Sequence, residues 1–266
     1  MGPNVPRKPR KTKLVASVVR AARLLKTFSR ERPELGITEL ANLLNLPPSS
    51  VYRLVSSLES EGLMEQDPTT GKYRLSLELF LLGAQVLNQV GLGESSLPFL
   101  RRLAEESGET VNMGILRNGR VVYLHKVDSP KVIRASFAIG DQAPAHCTAI
   151  GKVLLAYLSD REVEELVRQH PLEKWGPNTI TSLEALKEEL QRTRERGYSL
   201  DDEEFAPNIR CIGAPVRDHL GQVVAGIAIS GPAHRLSLER LEELREPILE
   251  TACQISQRMG YRDVLP

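Results

Sequence analysis

Residues 45–62 read as a turn, an amphipathic helix and a stop. Asn45-Leu46-Pro47-Pro48 makes the turn. Pro48 suits a first helical position, where the missing N–H would have had no helical partner. At 100° per residue Val51, Leu54, Val55 and Leu58 gather on one face, and Gly62 ends the helix near Glu61. The opposite face holds Ser49, Arg53, Ser56 and Ser60, with Tyr52 on the flank and no acid before Glu59. Solvated helix faces are usually rich in Glu and Lys, and this one is rich in Ser. Small hydroxyls let a helix approach DNA closely, and an arginine such as Arg53 reaches a guanine edge or a phosphate.

The flanking segments fit that reading. Val15, Val18, Val19, Ala22, Leu25 and Phe28 form one apolar stripe, predicting a helix over 14–29. Thr38 is the expected N-cap of a short helix through Leu44 and would steady it against the DNA backbone. After Gly62, two short strands flank Asp67-Pro68-Thr69-Thr70-Gly71, a hairpin whose Lys72 and Arg74 point to one side. Helix, short helix, turn, serine-faced helix and basic hairpin describe a winged helix-turn-helix over 14–76, with a basic tail over 1–13. Residues 1–76 hold 13 Lys and Arg against 7 Asp and Glu, and residues 77–266 hold 22 against 27. A basic first third on a mildly acidic remainder suggests a polyanion-binding module joined to something with another task, although the tail supplies most of the excess.

With 266 residues the chain has room for about two domains. No apolar run approaches the ~18 residues of a membrane span, and no apolar signal core follows the basic start, so neither a membrane protein nor secretion is expected. Cys147, Cys211 and Cys253 cannot make a disulfide framework and lack paired zinc spacing, which fits the cytoplasm. No cofactor, metal or catalytic residue is expected. Residues 77–94 carry apolar side chains around much of a helix, as a rigid helical linker or an intradomain core helix would. Residues 95–266 alternate helix and strand signals without regular βαβ repetition, predicting an α+β domain. Its elements are helices near 97–107, 149–157, 161–169 and 182–196, a last helix from Ser237, and strands at 111–116, 121–126, 133–137, 211–216 and 223–230. Asn118-Gly119 marks a hairpin, Thr181 and Glu184 a capping box, and Gly197 a helix stop.

The segments VVRAARLLKTF, LGITELANLLNLPPSSVYRLVSSLESEGL, TGKYRLSLELFLLG, RNGRVVYLHKV, HCTAIGKVLLAYL, RGYSLDDEEFAPNIRCIGAPV and AGIAISGPAHRL resemble, in order, the IclR family of bacterial transcriptional regulators. The resemblance spans about residues 14–260 and looks like a full-length member. It implies a GAF/PAS-like effector-binding domain, a linker helix that contributes to dimer contacts, and a homodimer or tetramer on a pseudo-palindromic duplex. It also implies a repressor that senses a small organic acid. Thr148 is a plausible N-cap, leaving the amides of Ala149, Ile150 and Gly151 free for an anion. The positions matching the family's effector site are the Ala149–Ile150 backbone, Asp201, Cys211 and Ser230, with Met113 and Ile150 as an apolar wall. Ala228 departs from the Ser-x-Ser pattern of some acid-sensing members. His146, Cys147 and Cys211 keep open a metal-responsive or thiol-redox regulator, or a GAF-like thiol enzyme. The DNA-contacting set is Thr38, Ser49, Ser50, Tyr52, Arg53, Ser56, Lys72 and Arg74.

Overall fold

The computed structural model describes residues 14–29, 31–89, 93–135 and 137–262. The expected basic tail, 1–13, lies outside the described residues. Contacts divide the chain into two units, 1–89 and 90–266.

In the first unit, the helix expected after Asn45 forms as α3, Pro48–Ser60. Val51, Val55 and Leu58 are buried on its inner face. Gly62 stops it in the left-handed region (φ 72°), where the Leu63 N–H donates to the Leu58 carbonyl at 2.8 Å. Before it stand α1, Ala16–Leu25, and α2, Ile37–Leu44. α1 is shorter than expected, because the chain turns at Lys26 and the Thr27 hydroxyl donates to the Leu24 carbonyl at 2.7 Å. Thr38 does not cap α2. Gly36 is the N-cap, and its N–H donates to the Glu39 carboxylate at 2.6 Å. The hairpin forms from β2, Met64–Gln66, and β3, Tyr73–Leu75. An unforeseen strand β1, Glu34–Leu35, joins it in the order β1-β3-β2. Leu24, Leu35, Leu40, Val55, Met64 and Tyr73 fill one core beneath helices and wing. The apolar stretch after Ser76 is α4, Leu77–Gln89.

The second unit is built on a six-stranded antiparallel sheet in the order β6-β5-β4-β9-β8-β7. Its strands are β4 (Thr110–Arg117), β5 (Arg120–Val127), β6 (Gln142–Pro144), β7 (Ser199–Asp202), β8 (Ile209–Arg217) and β9 (Val223–Pro232). Asn118 and Gly119 both take positive φ at the β4–β5 turn, as a tight hairpin requires. Among the described residues of 133–137 the expected strand does not form. Ile133 is 67 % exposed there, and β6 takes the edge beside β5 instead. β7 was not foreseen and forms the other edge, pairing with β8.

Strand alternation sends side chains to two cores. α5 (Leu97–Ser107) and α10 (Arg245–Arg258) cover one face over Met113, Ile212, Ala214, Ile227 and Ile229. α6 (Ala149–Ala156), α7 (Asp160–Gln169) and α8 (Leu183–Arg196) share a core with Tyr123, Cys211 and Ala228 on the other. Ser182, rather than Thr181, caps α8, and its hydroxyl accepts from the Ala185 N–H at 3.2 Å. The last helix is broken at Leu244 into α9 (Leu238–Glu243) and α10. α6 lies unusually close to the sheet, since a Cβ on Gly213 would stand 2.9 Å from the Ala149 carbonyl carbon. That approach presses the start of α6 onto β8 and β9 and builds the site described next.

Candidate nucleic-acid interface and effector cavity

On α3 the exposed face carries Ser49, Tyr52 and Arg53, with Ser50 and Ser56 half-buried at its edges. Tyr52 is 56 % exposed on this face. Two further serines are committed to the helix. Ser57 donates to the Arg53 carbonyl at 2.9 Å, and Ser60 to the Ser57 carbonyl at 2.8 Å. Their hydroxyls keep only acceptor capacity, whereas Ser49, Ser50 and Ser56 make no such back-bond among the described residues. The wing cations are already paired. Lys72 sits 3.2 Å from Glu39. Arg74 is held at 2.6 Å by Glu65 across the hairpin, with Glu34 at 3.5 Å and Asp67 at 3.8 Å. Thr38 is exposed in the first turn of α2.

In the second unit, five of the six expected effector residues meet. Ala149, Ile150, Asp201, Cys211 and Ser230 line one cavity, together with Ala228. Met113 does not belong to it. Its side chain points to the opposite face of the sheet, into the core under α5 and α10, and Asn112 is the β4 residue that reaches toward Ser230, its Nδ2 donating to Oγ at 3.4 Å. The cavity's free volume is about 10 Å³, room for one water at most. Aromatic side chains missed from the sequence also line it. These are Tyr123, Phe137 and Phe205: Tyr123 stacks on Phe137 at 4.4 Å and Phe137 meets Phe205 at 5.5 Å, while Phe205 also stacks at 5.4 Å on Trp175, which is not part of the lining. Nothing local marks Phe137 and Phe205, because they come from irregular segments brought together only by the fold.

Thr148 caps α6, its hydroxyl accepting from the Gly151 N–H at 3.2 Å. Gly151 is therefore not a free donor. Among the described residues the amides of Ala149 and Ile150 are the unpaired ones of that first turn. Asp201 is 1 % exposed, and its Oδ1 accepts from the Glu204 N–H at 2.9 Å and the Phe205 N–H at 3.3 Å. Burial, followed by the negative charge of Glu204, pushes its carboxyl up to about 7, and Lys152 opposes them. Burial also pushes the thiols of Cys147 and Cys211 up, so both stand as thiols rather than thiolates. His146 is buried with Nε2 at 3.0 Å from the Glu173 carbonyl, and desolvation lowers its proton affinity. It lines a separate cleft of about 130 Å³ with Arg120, His170 and Trp175, which takes in none of the expected effector residues. No group of three or more potential metal ligands occurs among the described residues.

The two units match known families separately. Residues 17–68 match the IclR helix-turn-helix domain, and residues 84–257 match the C-terminal domain of the bacterial transcriptional regulator IclR. The chain is 40 % identical over 249 residues to the HTH-type transcriptional regulator KdgR of Escherichia coli, covering 94 % of both chains. It is 34 % identical over 248 residues to the transcriptional repressor IclR of E. coli, covering 92 % of this chain and 90 % of the relative. Among solved structures, an IclR homolog from Microbacterium hydrocarbonoxydans complexed with 4-hydroxybenzoate superposes with a TM-score of 0.81 at 25 % identity, covering 92 % of this chain and 99 % of that one.

A winged helix-turn-helix followed by an α+β sheet domain is the architecture of a DNA-binding transcriptional regulator. The chain belongs to the IclR family. No helix among the described residues is long and apolar enough to cross a membrane.

Proposed function

We propose that this regulator is a repressor whose hold on DNA is changed by a small organic carboxylate bound in the Asp201 cavity. The observation that carries the reading is the convergence of two free amides, Ala149 and Ile150, with Asp201, Cys211 and Ser230 on one buried cavity. Amides at a helix start favour an anion. An acid poised near neutrality can keep a proton and donate to that anion, or lose it and accept from a hydroxyl. The 4-hydroxybenzoate of the Microbacterium homolog and the repressor name of the E. coli relative point the same way. With about 10 Å³ free, even a three-carbon acid needs some of the lining side chains to move before it fits. Ligand entry is thus coupled to movement, as a response requires.

In this reading residues 14–76 bind DNA, 77–94 link and 95–266 sense and oligomerise. Ser49, Ser50, Tyr52, Arg53 and Ser56 meet the major groove and Thr38 the backbone. Lys72 and Arg74 serve the flanking phosphates after exchanging their carboxylate partners. One recognition helix reads few base pairs, so a homodimer, or a tetramer, takes a pseudo-palindrome. Leu77, Phe80, Leu81 and Leu82 of α4 are apolar and exposed, as a helix that meets a second copy would be. The chain performs no catalysis and works on DNA in the cytoplasm. A thiol switch has less support, because both buried cysteines are held protonated.

Selection of duplexes from a random library, with and without a panel of small acids, tests the reading. Inverted half-sites that are lost when one acid is added support it. Enrichment indifferent to every acid refutes the sensing half, and no enrichment at all refutes the DNA-binding half.

A further inference from the structure

Lys152 is 1 % exposed, one turn along α6 from the free amides, and neither DNA binding nor direct ligand contact uses it. A lone buried ammonium is costly, so a buried lysine needs compensating charge. Its Nζ bonds the Glu204 carboxylate and lies 3.5 Å from Glu189 of α8. Glu189 is held in turn by Arg196 at 2.7 Å and Arg192 at 3.2 Å.

The cluster reaches the cavity through Glu204. The Glu204 N–H donates to Asp201 Oδ1 at 2.9 Å, and the next residue, Phe205, lines the cavity. From the other side, the Gly176 N–H and the Thr179 hydroxyl donate to the Glu204 carbonyl at 2.9 and 2.6 Å. Glu204 is therefore fixed by its side chain to α6, by its N–H to the cavity acid and by its carbonyl to the 176–179 loop. Its second carboxylate oxygen, Oε2, is buried without a hydrogen-bond partner among the described residues. The charge of this carboxylate is balanced by Lys152 alone among the partners described, so the pairing decides how much of it Asp201 feels.

We propose that Lys152 and Glu204 are positioning residues of the cavity, a latch that sets where Asp201 stands against the Ala149–Ile150 amides and how much negative charge it faces. The proposal rests on the cavity reading above and adds the device that tunes it. The titratable groups that face Asp201 are Glu204 from its own turn, Lys152 from α6, Cys147 from the turn before α6, Cys211 from β8 and Tyr123 from β5. Glu189 acts one step further out, through Glu204 and Lys152. Of these, Glu204 favours the protonated acid and Lys152 favours the carboxylate. Neutralising either one should move Asp201 in opposite directions, an outcome that a purely mechanical role for the pair does not produce.

The test is a pH titration of the full chain without ligand, following 13C-labelled aspartate carboxyls by NMR, with the Asp201 signal assigned by its loss in Asp201→Asn. Glu204→Gln should lower the midpoint and Lys152→Met raise it, each by about one pH unit or more, while Lys152→Arg restores it. Midpoints that stay put, or that move together, overturn the proposal. If Lys152→Met fails to fold, Glu204→Gln decides alone: a lower midpoint supports the latch, and an unchanged or higher one overturns it. Because no ligand is present, failure of every acid to bind would refute the cavity reading without touching this result.

Discussion

Replacing Asp201 by Asn turns the geometry of the cavity into a stability measurement. The Asp201 carboxyl lies well above the 3.8 of an unfolded aspartate, at about 7. The folded state therefore binds more protons than the unfolded state between those values, and stability falls as pH rises through that window. The gap of about three units corresponds to roughly 4 kcal/mol as a ceiling, reached once the pH exceeds the folded value. Asn keeps an oxygen to accept from Glu204 and Phe205 and carries no charge to desolvate. Urea unfolding at pH 5 and pH 8 should show the wild type losing stability between them and Asp201→Asn losing less. The variant should be about 2–4 kcal/mol the more stable at pH 8 and close to the wild type near pH 4. Glu204 contributes a slope of the same sign, because burial raises it too, so the difference between variant and wild type is the quantity to read. Identical pH slopes would refute a raised Asp201.

Arg53→Ala should weaken or relax recognition of selected DNA by ~1–3 kcal/mol if its guanidinium is bidentate to guanine, measured by fluorescence anisotropy on matched and mismatched duplexes. Lys72→Ala should weaken all duplexes about equally and flatten the salt dependence by about one unit of slope. Gly213→Ala places a methyl against the Ala149 carbonyl and the Ser199 hydroxyl, and should cost ~1–3 kcal/mol of stability in chemical unfolding.

The parts legible in the sequence are those whose determinants are local. The apolar and serine faces of α3 follow from helical period alone, and the β4–β5 turn from Asn118-Gly119. β7 was not legible because it inverts the usual pattern. Its buried residues are Ser199 and Asp201, the first donating to the Ala149 carbonyl at 2.6 Å and the second serving the cavity, so Asp201-Asp202-Glu203-Glu204 looks like a solvated loop. Ile133–Phe137 looks like a strand, yet Phe137 stacks on Tyr123 and Ile133 faces solvent. Met113 was misplaced by one step of strand alternation, which only the pairing of β4 with β9 resolves, Met113 lying opposite Ile227 and Asn112 opposite Ala228. The acids that pair Lys72 and Arg74 come from three separate segments, so the sequence shows the charges and not their pairing.

The claim that a small carboxylate sits on the Ala149–Ile150 amides beside Asp201 and Ser230 is tested most directly by thermal unfolding against 2-oxo, 2-hydroxy, dicarboxylic and aromatic acids. The wild type, Asp201→Asn and Ser230→Ala are compared. A ligand at ~100 times its dissociation constant adds about 2.7 kcal/mol to the folded state. The account predicts a stabilising shift by at least one acid in the wild type that is lost or sharply reduced in both variants. A shift that survives both substitutions, or no shift with any acid, would contradict it.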